Sequence, residues 1–246
     1  MSARFEELDW RQTSMGAISL RRRKDPVLGK DVYEIKLDDD FLMSSMWTAG
    51  EIALARLGLA ESVSDGLDVV LGGLGLGYTA HACLEDTRVR SLVVVEALAE
   101  VIDWHERRLV PVADQLLSDP RCHLVHGDFF AMAGTCFARD QHGRSRRFHT
   151  VMVDIDHSPR HLLQPHHASL YDTAGLSRLA AQLHPGGTFA LWSNEPPDVA
   201  FGAVLGAVFD ETKAHVVDFP NPAQGGTAAN TVYVARTAPA PAAAAQ

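Results

Sequence analysis

The segment at residues 67–82 restricts the possible folds of this chain more than any other. An apolar run at 67–71 leads into a turn with three alternate glycines, and a helical pattern begins at Thr79. The glycines are Gly73, Gly75 and Gly77. The run is short enough for a buried parallel strand, glycines let the backbone pass close to a ligand, and the free N–H groups of a helix's first turn point at it. Because such turns also serve purely to pack a strand on a helix, a nucleotide site is predicted only if later features agree.

Acidic residues follow three later apolar runs. They are Glu96 after residues 91–95, Asp128 after 122–126, and Asp154 and Asp156 after 149–153. An acid about twenty residues beyond a glycine turn, at the end of the next strand, can accept hydrogen bonds from the ribose hydroxyls of a nucleoside. Ligands of open α/β sheets bind at the carboxyl ends of the strands. The recurrence of acids at three strand ends therefore predicts a nucleoside-binding site at this edge of the sheet.

Strand and helix patterns alternate after the glycine turn, which predicts an α/β fold with a Rossmann-like, doubly wound and mostly parallel sheet. A fifth strand pattern lies at 188–192, and two last ones, at 214–219 and 231–235, complete seven strands as an antiparallel edge hairpin. Residues 1–46 predict a small antiparallel β lead-in that serves as a lid or a dimer contact. Its strand patterns lie at 17–20, 32–37 and 41–43. A nucleoside-binding domain at 47–236 and a disordered Ala/Pro tail at 237–246 would complete the chain.

The composition narrows the class of protein. The chain has 246 residues and a formal net charge of −9, which disfavours a nucleic-acid partner. Its cysteines are Cys83, Cys122 and Cys136; they are odd in number and lack CxxC spacing, which favours a reducing compartment. No apolar run reaches membrane-spanning length, and the first residues lack the pattern of a signal peptide. We therefore expect a cytoplasmic protein that binds neither nucleic acid nor membrane.

The order and spacing of these motifs resemble the spermidine synthase (polyamine aminopropyltransferase) family, within the class I S-adenosylmethionine-dependent methyltransferase fold. The resemblance covers about residues 30–236. It rests on the glycine turn at 72–79, Val95-Glu96, Asp119-Pro120-Arg121 followed by Gly127-Asp128, Val153-Asp154, and the segment from Leu183 to Gly187. The implied reaction is attack by an amine nitrogen on a carbon bonded to a sulfonium, with methylthioadenosine leaving. The implied domain at 47–236 is thus a transferase.

The resemblance also implies roles for individual residues. Glu96 would hold the ribose hydroxyls, and Asp128 the adenine amino group. The rest of the donor site would consist of Gly73, Gly75, Leu76, Gly77 and Gly127. Asp154 would sit beside the reacting amine, where a carboxylate can orient an ammonium and take its proton. Asp156 either shares this catalytic role or caps the turn before Pro159.

Four stretches depart from the family's pattern, and one of them is its Asp-x-x-Asp-Pro loop, which here is residues 154–159. Leu76 stands where the family has an aspartate that grips the aminopropyl ammonium of decarboxylated S-adenosylmethionine, and Leu42 stands where it has a glutamine near the sulfonium. Of the segment that helps to bind putrescine, residues 47–51 retain at most Glu51, which alternatively completes a capping box with Thr48. The nucleoside half of the site is kept and the diamine half is rewritten, so we expect an acceptor other than putrescine. Candidate acceptor contacts are Trp47, Glu51 and His157.

Four histidines lie within eleven residues of one another. They are His157, His161, His166 and His167. Their spacing fits no compact metal-ligand template, and no cysteine joins them. We therefore predict no metal and place these histidines on the surface or in a substrate loop.

Three functions remain open at this point. The first is a spermidine synthase-like transferase that alkylates an amine, with decarboxylated S-adenosylmethionine or S-adenosylmethionine as the co-substrate. The second is a small-molecule methyltransferase that uses S-adenosylmethionine, which the uncharged Leu76 favours. The third is a non-catalytic nucleoside-binding homologue. For the first two we expect a homodimer that binds a small-molecule amine as its acceptor.

Overall fold

The structure, a computed structural model, describes residues 5–26, 29–62, 64–139, 141–221 and 225–240. The chain begins with a four-stranded antiparallel sheet whose strands pair in chain order. They are β1 (Phe5–Thr13), β2 (Gly16–Lys24), β3 (Asp31–Leu37) and β4 (Asp40–Ser44). The sequence patterns account for the last three. The charged residues of β1 interrupt any apolar alternation, and the strand is fixed instead by its pairing with β2, which includes ion pairs from Glu6 to Arg22 and from Glu7 to Arg21.

A seven-stranded sheet forms the centre of the molecule, in the order β10-β11-β9-β8-β5-β6-β7. Its strands are β5 (Leu67–Gly72), β6 (Val89–Glu96), β7 (Cys122–His126), β8 (Phe148–Val153), β9 (Leu183–Ser193), β10 (Glu211–Pro220) and β11 (Thr227–Arg236). The strands from β5 to β9 are parallel to their neighbours, whereas β10 and β11 are antiparallel. The predicted α/β fold with a mostly parallel sheet and an antiparallel edge hairpin is confirmed.

Helices cover both faces of this sheet. They are α1 (Ala49–Ala60), α2 (Tyr78–Glu85), α3 (Ala99–Glu106), α4 (Ala113–Ser118), α5 (Phe129–Gly134), a 3-10 helix (Pro165–Ser169), α6 (Thr173–Ala180) and α7 (Val199–Gly206). Val69 and Leu71 of β5 pack into one hydrophobic core with α1 to α4, and Val70 packs into a second core with α5 to α7. Alternate residues of a strand point to opposite faces, so the central strands are buried on both sides.

The N-terminal sheet packs against the first core and against the carboxyl edge of the large sheet. The indole Nε1 of Trp104 in α3 donates a hydrogen bond of 2.8 Å to Asp9 Oδ2 in β1. At the other end, the backbone N–H of Leu76 in the glycine turn points to the sulfur of Met43 in β4, 3.0 Å away. Leu20 and Ile35 belong to the first core. These contacts make the N-terminal sheet one wall of the space above the strand ends.

The end of the chain falls only partly within the described residues. Thr237 and Ala238 make hydrogen bonds to the segment at 184–187, through Thr237 N to Gly187 O at 3.0 Å and Gly186 N to Ala238 O at 2.7 Å. The rest of the tail predicted to be disordered, residues 241–246, lies outside the described residues. Within the described ranges, none of the helices combines the length and the hydropathy needed to cross a bilayer.

Candidate active site

A cavity of about 520 Å³ lies between the N-terminal sheet and the carboxyl edge of the large sheet. Residues from five neighbouring strand ends line it. In the order of the strands they are Trp192 on β9, Asp154 after β8, Gly73 and Gly75 after β5, Glu96 on β6, and Gly127 and Asp128 after β7. Neighbouring strands lie about 4.8 Å apart, so these residues form a row along the cavity. Ligands of open α/β sheets bind in such a position.

The glycine turn brings the backbone to the floor of the cavity. Gly73 has φ = +92°, and a Cβ at this position would collide with the backbone oxygen of Asp154. Gly75 has φ = +49°, and a Cβ there would collide with the sulfur of Met43. Both glycines adopt a backbone conformation that other residues rarely take, and at Gly73 a side chain would also meet backbone atoms. The turn thereby holds the ends of β5 and β8 and the N-terminal sheet together.

Glu96 is held by the backbone of the turns beside it. Its Oε2 accepts a hydrogen bond from Leu74 N at 3.0 Å, and its Oε1 accepts one from Leu98 N at 2.8 Å. Burial raises the pKa of this carboxyl, and the backbone N–H groups oppose that rise. The backbone N–H groups of Gly75 and Ala97 also stabilise its ionised form, and its side chain lines the cavity.

Asp128 begins helix α5 and faces the same cavity. Its Oδ1 accepts hydrogen bonds from Phe130 N at 2.8 Å and Ala131 N at 3.1 Å, in the manner of an N-cap. Its Oδ2 lies 3.5 Å from the Nε2 of His166, and about half of its side chain is exposed. One oxygen is therefore engaged by the helix, and the other faces the cavity at the end farthest from Asp154.

Two carboxyl groups, Glu51 and Asp154, line the cavity at its other end. Asp154 Oδ2 accepts a hydrogen bond of 2.5 Å from the hydroxyl of Thr79, and burial raises the pKa of Asp154 to about 6. Glu51 is 8% exposed, and burial together with the charge of Asp154 raises its pKa to about 8. Near neutral pH the two groups together hold about one proton, as expected for neighbouring buried carboxyls.

The capping box predicted for Glu51 does not form. Thr48 is the N-cap residue of α1, but its side chain makes no capping hydrogen bond. The Glu51 side chain lines the cavity instead, and among the described residues no side chain donates a hydrogen bond to its carboxyl group. The only donor acting on this buried carboxyl among the described residues is the Glu51 backbone N–H, which favours a ligand contact over a structural role.

The structure places Asp156 away from the cavity. Its Oδ1 accepts hydrogen bonds from Leu163 N at 2.7 Å and His167 Nδ1 at 2.8 Å, and its Oδ2 accepts one from Tyr171 OH at 2.7 Å. It is 1% exposed and does not line the cavity. The predictions of a second base and of a cap before Pro159 are both replaced by a third role: Asp156 holds the segment between β8 and α6 in place.

Of the other residues predicted to contact a ligand, some line the cavity and some do not. His157 lines the cavity, and burial followed by the nearby His161 lowers its pKa. Leu76 is fully buried in the first core, and neither it nor Gly77 nor Trp47 lines the cavity. Gly77 is instead the N-cap residue of α2, with φ = +89°. Gly75 lines the cavity and contributes no side chain to it.

Sequence reasoning missed several cavity residues. They are Met43, Tyr78, Thr79, Trp192, His166 and His167 as possible ligand contacts. Thr79 and Trp192 carried a usable signal, because one lies in the first helical turn after the glycines and the other at a strand end. His166 and His167 were predicted only to lie on the surface or in a substrate loop, without a specific contact. His167 stacks on Phe130, with ring centroids 3.7 Å apart. Only the fold brings these two residues together.

The histidine-rich segment forms pairs of rings. His157 and His161 lie with ring centroids 4.9 Å apart, and His166 and His167 with centroids 4.5 Å apart. Within the part of the chain that the structure describes, no three His, Cys, Asp or Glu side chains are grouped so that they could hold a metal ion.

No protein-family model matches the chain. Its fold is that of solved spermidine synthases. The enzyme from Thermotoga maritima has a TM-score of 0.70 at 16% identity, with 94% of this chain and 72% of that chain covered. A spermidine synthase in complex with the transition state analogue AdoDATO has a TM-score of 0.70 at 16% identity, with 94% of this chain and 73% of that chain covered. A probable spermidine synthase from Corynebacterium glutamicum has a TM-score of 0.62 at 14% identity, with 94% of this chain and 79% of that chain covered. The chain therefore shares its fold with these proteins.

Proposed function

We propose that the protein is a transferase that alkylates an amine and uses a sulfonium nucleoside as the donor. The observation that carries this proposal is the arrangement of one cavity. The acid and glycine turn suited to a nucleoside lie over β5 and β6, and the buried carboxyl pair of Glu51 and Asp154 lies at the neighbouring strand end. The shared fold with spermidine synthases supports it.

The donor half of the cavity fits a nucleoside. Glu96 offers two carboxylate oxygens to ribose hydroxyls, and Asp128 offers an acceptor to an exocyclic amino group two strands from the glycine turn. Between them, Val95 and Leu98 give the cavity an apolar wall. The cavity volume of about 520 Å³ lies within the usual range for small-ligand sites. The donor would enter as a co-substrate and leave as a neutral thioether.

The acceptor half provides a base for an amine. The amine nitrogen would attack the carbon bonded to the sulfonium; the C–N bond forms as the C–S bond breaks, and the electron pair of that bond stays on sulfur. The proton lost by nitrogen passes to Asp154. A carboxyl whose pKa is raised to about 6 is a better base than an ordinary aspartate and is still ionised at neutral pH.

A second candidate is methyl transfer from S-adenosylmethionine. It is favoured by the glycine turn, where Gly75 faces the cavity and Leu76 is buried in the core. With no carboxylate at this turn, nothing there selects the ammonium of the decarboxylated donor or repels the carboxylate of S-adenosylmethionine. The two candidates share the nucleoside, the acid pair and an amine acceptor, and they differ in the carbon that is attacked.

Product analysis separates these functions. The protein is incubated with decarboxylated S-adenosylmethionine or with S-adenosylmethionine and a panel of amines, and the nucleoside products are identified by mass spectrometry. We expect methylthioadenosine and an aminopropylated amine from the first donor. S-adenosylhomocysteine and a methylated amine from the second would support methyl transfer. Nucleoside binding by calorimetry with no product from either donor would overturn both and leave a non-catalytic homologue.

A further inference from the structure

The side of the cavity beyond Asp154 is formed by β9. Val153 of β8 pairs with Leu191 of β9 in parallel register, so Trp192 is the next strand-end residue after Asp154 on the side away from Glu96. The Trp192 side chain lines the cavity. Gly50 of α1 leaves room for it, since a Cβ at Gly50 would collide with the indole Nε1. An aromatic ring therefore lies immediately beside the acid pair.

Charged groups are unevenly distributed between the two halves. Among the described residues, four carboxylates line the cavity; Glu96 and Asp128 lie on the donor side, and Glu51 and Asp154 lie together at one point. His157 borders the acceptor side, because its backbone oxygen accepts a hydrogen bond of 2.8 Å from Asn194 N just beyond β9. Burial lowers the pKa of His157, so its ring is neutral at pH 7. The acceptor half thus carries one anionic position.

Two further acids, Asp40 and Asp156, act on His157 through their charges, and neither lines the cavity. Asp40, at the start of β4, is close enough to act on His157 through its charge, but it is exposed and does not line the cavity. A short diamine with one nitrogen at the acid pair would place its second ammonium beside Trp192 and His157, without a carboxylate partner in the wall. Removing an unpaired ammonium from water is unfavourable, whereas an apolar group gains from contact with an aromatic ring.

We infer that the acceptor is a monoamine with an apolar body, whose nitrogen lies between Glu51 and Asp154 and whose body lies against Trp192. This inference rests on the proposed function, and it specifies the class of amine. It differs from a diamine site in one respect that can be measured: the group at the far end of the acceptor is apolar and uncharged.

Two amines of equal length test the inference directly. Pentylamine and 1,5-diaminopentane differ in whether the far carbon ends in hydrogen or in a second amino group. Each is titrated calorimetrically into the full chain, with and without saturating methylthioadenosine. We expect pentylamine to bind more tightly by roughly tenfold or more. Equal or tighter binding of the diamine would overturn the inference, since the indole would then act as a cation–π site for the second ammonium. Failure of both amines to bind would overturn it as well.

Variants locate the apolar contact. Trp192→Ala should weaken pentylamine binding about tenfold and change diamine binding much less, and Trp192→Phe should restore most of the loss. The matched control is Trp10→Ala, because Trp10 is 54% exposed on β1 and does not line the cavity. Unchanged methylthioadenosine affinity and melting temperature in Trp192→Ala would show that the site is still folded. An unchanged pentylamine affinity in that folded variant would contradict the placement of the acceptor body.

The same experiments separate this inference from the proposed function. If pentylamine binds preferentially but neither donor is consumed, the proposed transferase activity fails and the class of bound amine stands. If the protein instead transfers a group to a diamine more efficiently than to pentylamine, the transferase activity stands and the monoamine inference fails.

Discussion

The carboxylates at the two ends of the cavity differ in the hydrogen bonds that they accept from the protein. At the donor end, Glu96 receives hydrogen bonds from two backbone N–H groups, and Asp128 receives two from the first turn of α5. At the acceptor end, Asp154 receives one from the hydroxyl of Thr79, and Glu51 receives none from a side chain among the described residues. The carboxylates of the donor end are thus oriented by backbone N–H groups before any ligand arrives, whereas the acceptor end holds two carboxyls that a cation would stabilise.

This difference has a physical meaning for each end. Backbone N–H groups are fixed by the turn, so they preorganise Glu96 at little further entropic cost. The acid pair is held at a cost in solvation, and this cost is reduced because the raised pKa values keep about one of the two groups protonated near neutral pH. We therefore expect mutations at the donor end to change nucleoside affinity, and mutations at the acceptor end to change turnover and the pH dependence of stability.

Asp154→Asn should have the largest effect. The amide has the same shape but cannot take a proton, so we expect turnover to fall by roughly 10²–10⁴ while nucleoside affinity changes little. Steady-state kinetics and calorimetry measure the two quantities. Asp172→Asn is the matched control, because Asp172 caps α6 through a hydrogen bond from Gly175 N and lies outside the cavity. If Asp154→Asn lowered nucleoside affinity as much as turnover, the division of the cavity into two ends would be wrong.

Glu96→Ala should weaken nucleoside binding without a specific effect on the amine. Loss of a charged hydrogen-bond acceptor is worth about 1.5–3 kcal/mol, which calorimetric titration with methylthioadenosine measures. Glu106→Ala is the control, since Glu106 is exposed at the end of α3. Unchanged affinity in Glu96→Ala would remove Glu96 from the donor site and leave only the glycine turn there.

The donor end was largely predictable from the sequence, and the comparison of the two ends explains why. Its parts are local, because a strand, a glycine turn and the next strand with its acid lie within about thirty residues. The acceptor end brings Glu51 of α1, Asp154 after β8 and Trp192 of β9 together over long sequence separations. The resemblance pointed to Glu51 and Asp154 but also to Trp47, and the strand-end rule that pointed to Asp154 applied equally to Asp156.

In the fold, too, the elements with a local sequence pattern were predicted, and those that depend on distant partners were not. The seven central strands were predictable because each is an apolar run or an alternating pattern. Strand β1 was missed because its charged residues are satisfied by partners on β2 and α3, including Arg22 and Trp104. Leu76 was assigned to the donor site because spacing within a turn does not reveal which side chain faces the cavity and which faces the core.

Glu51→Gln should stabilise the protein at alkaline pH. The pKa of Glu51 is raised from its ordinary value of 4.5 to about 8. The folded state therefore binds this proton more tightly than the unfolded state, and this contribution to stability is lost as pH rises from about 4.5 to about 8. The glutamine does not ionise, so the stability of the variant relative to the native chain should rise over that range, by at most about 1.4 kcal/mol for each pH unit. Denaturant unfolding at pH 5 and pH 8 measures it. A stability difference that does not change with pH would show that Glu51 is ordinarily ionised and solvated.

Thr79→Val should have the smallest effect, and it tests whether Asp154 is the base. The Thr79 hydroxyl stabilises the ionised form of Asp154, so its removal raises the pKa of Asp154 further above its present value. Only the ionised carboxylate can accept the proton, so the rate rises with pH through this pKa. The rise should therefore move to higher pH, by about one unit or less, with little change at high pH. The pH profile of kcat/KM measures the shift. Thr79→Ser keeps a hydroxyl and should keep the native profile. If Thr79→Val and Thr79→Ser gave the same profile, the proton would be taken by a group other than Asp154, and the acceptor end would then resemble the donor end as a binding surface.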